Sequence, residues 1–189
     1  ADVIGRGARI VGAAGAHELA AAGVSVHVID ARKGGATNAG MGHLVVMDDN
    51  PAELALSQSS LDLWHHWGPR MTADQPACQF TNCGTLWVAA NAEEMAAAEE
   101  KQRRLRAHGI ACELLGPAAL AAAEPLLRPG LAGALKVSGD SVVYAPNAAE
   151  WLLAHAPRPI RVEQAEVTRI AGRTVHLADG RQRSAGAVL

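Results

Sequence analysis

Aromatic side chains are scarce in this chain: one Phe, one Tyr and four Trp. Alanine is abundant in their place. Neither sign of charge dominates. Seventeen basic residues face nineteen acidic ones, for a net charge of −2. That balance gives no attraction to nucleic acid or to an anionic membrane surface. No apolar run approaches the roughly 18 residues of a membrane span. No basic-then-apolar leader precedes the first strand, so no signal peptide is expected. Cysteine is also rare. Cys78, Cys83 and Cys112 are an odd number without metal-ligand spacing, which predicts reduced thiols of a cytosolic protein. What is present is a globular composition, 49% hydrophobic and 19% charged, in 189 residues. That length serves one domain or two small ones.

The chain is organised around its opening, from Asp2 to Asp30. Val3 and Ile4 start an apolar strand. Gly7 and Gly12 bracket a turn that opens a helix. Ile10, Val11, Ala14, His17, Glu18, Ala21 and Ala22 follow at helical spacing, with Gly23 as a stop. Val24, Val26, Val28 and Ile29 make a second strand ending at Asp30. The layout is that of a dinucleotide-binding βαβ unit. A helix amino terminus carries unpaired N–H groups and partial positive charge, which suits a pyrophosphate. An acid about 20 residues on, at the tip of the second strand, accepts from ribose hydroxyls. Asp30 holds that place. The fingerprint G-x-G-x-x-G is broken at its centre, where Arg9 replaces the second glycine. Gly5 and Arg6 also stand where apolar strand residues are expected, and a charge in a buried strand is costly unless paired. A side chain at position 9 is expected to be strained if the backbone there has positive φ, and to crowd the pyrophosphate. Arg9→Gly is accordingly expected to improve dinucleotide binding.

Gly34, Gly35, Gly40 and Gly42, with Thr37 and Asn38, make a loop whose backbone can approach a ligand closely. A short strand is expected at 43–47, with His43 read as a core histidine. Asp48, Asp49 and Asn50 before Pro51 signal a helix start, and the helix is expected to run to about Trp67. Residues 69–76 read as a loop and 79–89 as two strands broken at Gly84. A helix over 92–109 carries its acids first and its bases last, matching the helix dipole. A strand over 110–115, a helix over 117–123 and a strand over 131–137 follow. Asn147 is expected to cap a helix reaching His155. Two strands at 161–170 and 173–177 enclose a turn, and the apolar 185–189 reads as a strand buried on both faces.

Several separated pieces share one likeness: the opening βαβ, GGATNAGMGHLVV, CGTLWVA, the stretch Leu120–Leu135, GDSVVYAP and EVTRIAGRTVHLADG. Together they resemble the FAD-dependent oxidoreductases of the D-amino-acid oxidase and glycine oxidase type, in family order along nearly the whole chain. GMGHLVVMDDNPAELALS is most similar to the bacterial branch of D-amino-acid and D-hydroxyproline dehydrogenases and hydrogen cyanide synthase flavin subunits. The resemblance implies an α/β fold: a Rossmann-like FAD-binding domain with the start of a mixed-sheet substrate domain, truncated. Residues 1–74 would form the first part of the FAD-binding domain, 75–141 a partial substrate domain, and 142–189 the returning part of the FAD-binding domain. FAD is the implied cofactor. Gly7, Ala8 and Gly12 would hold its pyrophosphate. Asp30, with Ala31 and Arg32, would meet the adenosine ribose. Ala36, Thr37, Gly40, Met41 and Gly42 would lie along the ribityl and flavin, and Val167 would meet the adenine through its backbone. No metal is implied, and no catalytic residue is assigned.

The implied reaction oxidises the C–N bond of an amine or amino acid to an imine. The implied partner is a small-molecule amine or amino acid, with neither nucleic acid nor a transmembrane segment. The family pattern continues beyond this strand, so the resemblance implies either a hetero-oligomer or a missing carboxy-terminal half. The expected location is cytoplasmic or peripheral at the inner membrane. Two other readings stand beside this one. An NAD-binding dehydrogenase uses the same βαβ opening. A catalytically dead fragment, kept as a fold or interaction module, would account for Arg9.

Overall fold

A computed structural model describes residues 1–48 and 50–189. The chain begins with β1 (Val3–Arg6), α1 (Ile10–Ala21), β2 (Val26–Asp30), α2 (Ala36–Ala39) and β3 (His43–Leu44). It continues through α3 (Pro51–Asp74), a 3-10 turn at Pro76–Cys78, β4 (Thr85–Ala89), α4 (Ala92–Ala107), β5 (Cys112–Leu115) and α5 (Pro117–Ala123). Then come β6 (Gly133–Val137), β7 (Ser141–Val142), α6 (Ala145–Ala154), β8 (Arg161–Gln164), β9 (Val167–Ala171), β10 (Thr174–Leu177), β11 (Gln182–Ser184) and β12 (Ala187–Val188). Two compact units result. One comprises Ala1–Gly42, Met71–Gln79 and Tyr144–Leu189; the other comprises His43–Arg70 and Phe80–Val143.

The first unit is built on a parallel sheet ordered β12-β1-β2-β8. β2 is buried from Val26 to Ile29, as a strand covered on both faces should be; Val26, Val28 and Ile29 are β-branched, and His27 is buried among them. Ile4 and Ile29 pack with Val167, Val175 and Leu177, which belong to the three-stranded sheet β11-β10-β9. On α1 the buried residues are Ala13, Ala16, His17 and Ala20, mostly small, and α6 packs against this helix. Small side chains let the two axes approach closely. His17 Nδ1 lies 2.9 Å from the Leu152 carbonyl, and Trp151 stacks on His155 with ring centroids 4.9 Å apart. The Trp151 indole N–H reaches Asp74 Oδ2 at 3.2 Å, so the buried ring keeps its polar handle satisfied.

In the second unit β4, β6 and β5 form an antiparallel sheet with β6 central. Leu135 and Val137 of β6 pack with Leu54, Leu61, Ala98 and Leu105. Asp48 is nearly buried. Burial works against its charge, but Lys101 and Arg104 pair with it and hold its carboxyl below the usual range. Asp140, 1% exposed, has its carboxyl pushed up by burial, with Oδ1 accepting the Val46 N–H at 3.1 Å. No helix among the described residues is long and apolar enough to cross a membrane.

Several expectations need correction. α3 does not stop near Trp67 but passes Pro69 to Asp74, where a loop was expected. Proline removes only one N–H bond, and the buried stripe continues through Trp64, Trp67 and Met71. Asn50 does cap that helix, its Oδ1 accepting the Glu53 N–H at 2.9 Å; Asp49 lies outside the described residues. Asn147 caps nothing. α6 starts at Ala145, and the Asn147 amide instead donates to the Ala77 carbonyl at 2.8 Å. His43 is exposed, not core. The strand expected over 161–170 is two, β8 in the parallel sheet and β9 in the antiparallel one. β12 is not buried on both faces: it is the edge strand, with Ala187 exposed and Val188 only partly covered. Arg6 has an exposed side chain at the strand end, so no charge is buried there.

Candidate functional site

The turn between β1 and α1 is shaped by two glycines. Gly7 has φ of +104°, which side chains rarely adopt. A Cβ at Gly12 would collide with the Gly7 carbonyl oxygen. That position therefore needs glycine for the helix to sit against the turn, as the third glycine of the fingerprint does. Arg9, between them, is the N-cap of α1 with φ −80° and ψ 176°. This is ordinary extended backbone. The strain expected of a side chain at position 9 is absent, because the left-handed residue of the turn is Gly7.

Asp30 closes the turn from the tip of β2. Its Oδ2 accepts the Ala8 N–H at 2.8 Å, and its Oδ1 accepts the Arg32 N–H at 2.5 Å. A carboxylate offers about four lone-pair sites, so two remain for hydroxyl donors. The glycine-rich segment is not a plain loop: Ala36–Ala39 form the one-turn helix α2. Thr37 is buried there and its Oγ1 accepts the Ile10 N–H at 3.2 Å, capping α1 from outside its own sequence. The Arg9 guanidinium crosses to the same segment. It donates to the Lys33 and Gly34 carbonyls and lies over Gly35.

These groups surround a cavity of about 680 Å³. Of the residues expected at a cofactor site, Ala8, Asp30, Arg32 and Thr37 line it. Gly7 and Gly12 shape the turn beside it. Ala31, Ala36, Gly40, Met41, Gly42 and Val167 do not line it. Gly40 ends α2, Gly42 has φ of +73°, and the Met41 side chain is 81% exposed. Val167 packs against Ile4 and Ile29 beneath the sheet. Lys33, Gly34 and Asn38, which belong to the loop expected to approach a ligand but carried no assigned role, line the cavity beside Arg32; the α6 residues Ala149, Glu150 and Leu153 were missed altogether. The first three were legible as neighbours of Arg32. The α6 residues come from more than a hundred positions away with no local signal.

The donor set fits the adenosine and pyrophosphate part of a flavin dinucleotide. A glycine with positive φ, a helix N-terminus, an acid at the strand tip and cationic walls converge on one cavity large enough for a nucleotide.

Comparison with known proteins agrees. No curated protein matches by sequence. Among solved structures, glycine oxidase from Geobacillus kaustophilus superposes with a TM-score of 0.86 at 25% identity, over 99% of this chain and 54% of that one. Iminodiacetate oxidase from Chelativorans sp. BNC1 gives 0.84 at 24% identity, over 98% and 53%. L-Proline dehydrogenase from P. horikoshii gives 0.85 at 22%, over 100% and 51%. The chain thus spans about half the length of these relatives. The DAO family model, described as FAD dependent oxidoreductase, matches residues 3–189. Turn, acid and family match converge, and the chain belongs to the DAO family of FAD-dependent oxidoreductases.

Proposed function

We propose that this chain is the amino-terminal half of an FAD-dependent oxidoreductase that oxidises the C–N bond of an amine or amino acid. The substrate class is a D-amino acid, glycine or a proline-like imino acid. The observation that carries the reading is the Asp30–Ala8 closure of the glycine turn beside the cavity, within a family match over residues 3–189. FAD, when bound, supplies a two-electron acceptor for the C–H bond next to the substrate nitrogen. The substrate loses that hydride and an N–H proton, and water then hydrolyses the imine to a carbonyl compound and an amine or ammonia.

The part of this chain is binding and orientation. Gly7 and Gly12 give the turn its close approach. Asp30 holds the turn and keeps lone pairs for ribose hydroxyls. Arg32, at φ +52°, is turned by the bond from its N–H to Asp30. Met41 and its flanking glycines, Gly40 and Gly42, are assigned to the flavin side, with Ala36. Ala31 and Val167 are assigned to the adenosine side. No side chain of these residues is assigned to the proton transfer.

The test is spectroscopic. A gene product read in frame through Leu189 should purify yellow with FAD. Its flavin bands should bleach anaerobically with one of glycine, proline or a D-amino acid. Flavin bands that bleach only with a hydroxy acid, or a product that binds NAD and not FAD, would overturn the reading.

A further inference from the structure

The guanidinium of Arg9 has no carboxylate partner among the described residues. Two of its contacts go to neutral carbonyls, those of Lys33 and Gly34, and its Nη1 is buried with no acceptor at all. A guanidinium carries five N–H donors and a full charge, and neutral carbonyls compensate it poorly. Its neighbour Lys33 is already paired, with Glu166 at 2.7 Å.

The turn is short of donors in the same place. In an intact fingerprint, backbone N–H groups of the turn and the first helical residues bind the pyrophosphate. Here the Ala8 N–H is given to Asp30 and the Ile10 N–H to Thr37. An anion at the mouth of α1 therefore meets fewer free backbone donors than the fold ordinarily offers. Arg9 stands between those two residues, lines the cavity and is only half-buried, so its side chain can exchange acceptors. Its unstrained φ of −80° removes the backbone argument for glycine at this position.

We propose that Arg9 is a pyrophosphate ligand: its guanidinium leaves the Lys33 and Gly34 carbonyls and takes the diphosphate of the dinucleotide, replacing the backbone donors that Asp30 and Thr37 consume. This rests on the dinucleotide reading of the cavity. It reverses the expectation that Arg9→Gly would improve binding.

ADP and adenosine separate the possibilities, since only ADP carries the diphosphate. Calorimetric titration of the 189-residue chain should give tighter binding of ADP than of adenosine. Arg9→Met and Arg9→Gly should each weaken ADP by about 10- to 100-fold, the scale of a lost charge-assisted hydrogen bond. Adenosine affinity should hold constant, and Arg9→Lys should fall between. The salt dependence of ADP binding should flatten in Arg9→Met. If wild type binds ADP and the Met and Gly variants bind it equally or more tightly, Arg9 is an obstruction and the proposal fails while the cavity's assignment survives. If wild type binds neither probe, the dinucleotide reading fails and the role of Arg9 with it.

Discussion

Asp30 Oδ2 accepts the Ala8 N–H at 2.8 Å, tying the tip of β2 to the turn that opens α1. One carboxylate therefore holds the turn and faces the cavity. Asp30→Ala should weaken FAD or ADP binding by about 1–3 kcal/mol, the scale for losing a charged hydrogen-bond partner. Asp30→Asn, which keeps an acceptor for one N–H, should lose less. Titration of both variants decides. Unchanged affinity in Asp30→Ala would remove Asp30 from the site.

Glycines 12 and 15 lie on the same helix with opposite surroundings. A Cβ at Gly12 would run into the Gly7 carbonyl, which is backbone and cannot swing away; at Gly15 nothing lies within 4 Å. Gly12→Ala should destabilise the chain by about 1–3 kcal/mol, the cost of overpacking. Gly15→Ala should stabilise it by about 0.5–1 kcal/mol, because alanine loses less backbone entropy in a helix. Urea unfolding of the two variants should shift in opposite directions. A shift of the same sign in both would mean the turn relaxes around the new methyl.

The same contrast shows how far the sequence could be read. Glycine spacing and alternating valines are local signals, so β1, α1 and β2 were legible within a few residues, as were α4, which Asn91 caps, and α5. The family pieces carried the fold class. What was not legible depends on partners distant in sequence. Thr37 caps a helix 27 positions upstream. α3 runs through Pro69 because its apolar face stays covered, not because of local propensity. The break between β8 and β9 occurs where the chain leaves one sheet for another, with no glycine or proline at Ala165 or Glu166 to announce it. At the site, Asp30 was legible from its spacing, whereas the conformation of Arg9 was not, since only the backbone shows that Gly7 takes the left-handed position.

Acid should weaken the first unit through His27. This β2 side chain is 5% exposed, with Nε2 3.0 Å from Glu163 Oε2. Burial lowers its pKa, Arg161 adds to the lowering and Glu163 opposes it. Glu163 itself is held below the usual carboxylate range, chiefly by the hydrogen bond from Arg183. A histidine whose folded pKa lies below its unfolded value binds fewer protons when folded. Its contribution is present above the unfolded pKa, about 6.5, and is lost as pH falls below it. Urea midpoints measured between pH 7.5 and 5.5 should therefore decline, and His27→Gln should decline less. Parallel declines would place the titration elsewhere.

The 189 residues by themselves should neither hold FAD through removal of free cofactor nor oxidise an amine. β12 lies at the edge of the parallel sheet, and backbone groups on a sheet edge invite another strand. Large apolar side chains stand open in the same unit: Val11 at 83% exposure, Met41 at 81% and Leu189 at 70%. The chain spans about half the length of the relatives it matches, and Met41, assigned to the flavin side, stands open to solvent. Without a water-excluding pocket the substrate carbon is not fixed against the acceptor, and positioning is a large share of such a rate enhancement. Weak ADP-type binding at the α1 cavity is compatible with this, because that cavity is formed within the first unit. The chain should elute as a self-associated species and leave a desalting column colourless after incubation with FAD. Light scattering, the flavin spectrum and an assay with glycine, proline and D-amino acids plus an artificial acceptor check all three points. A yellow, monomeric and active product would show that half of the family fold is sufficient.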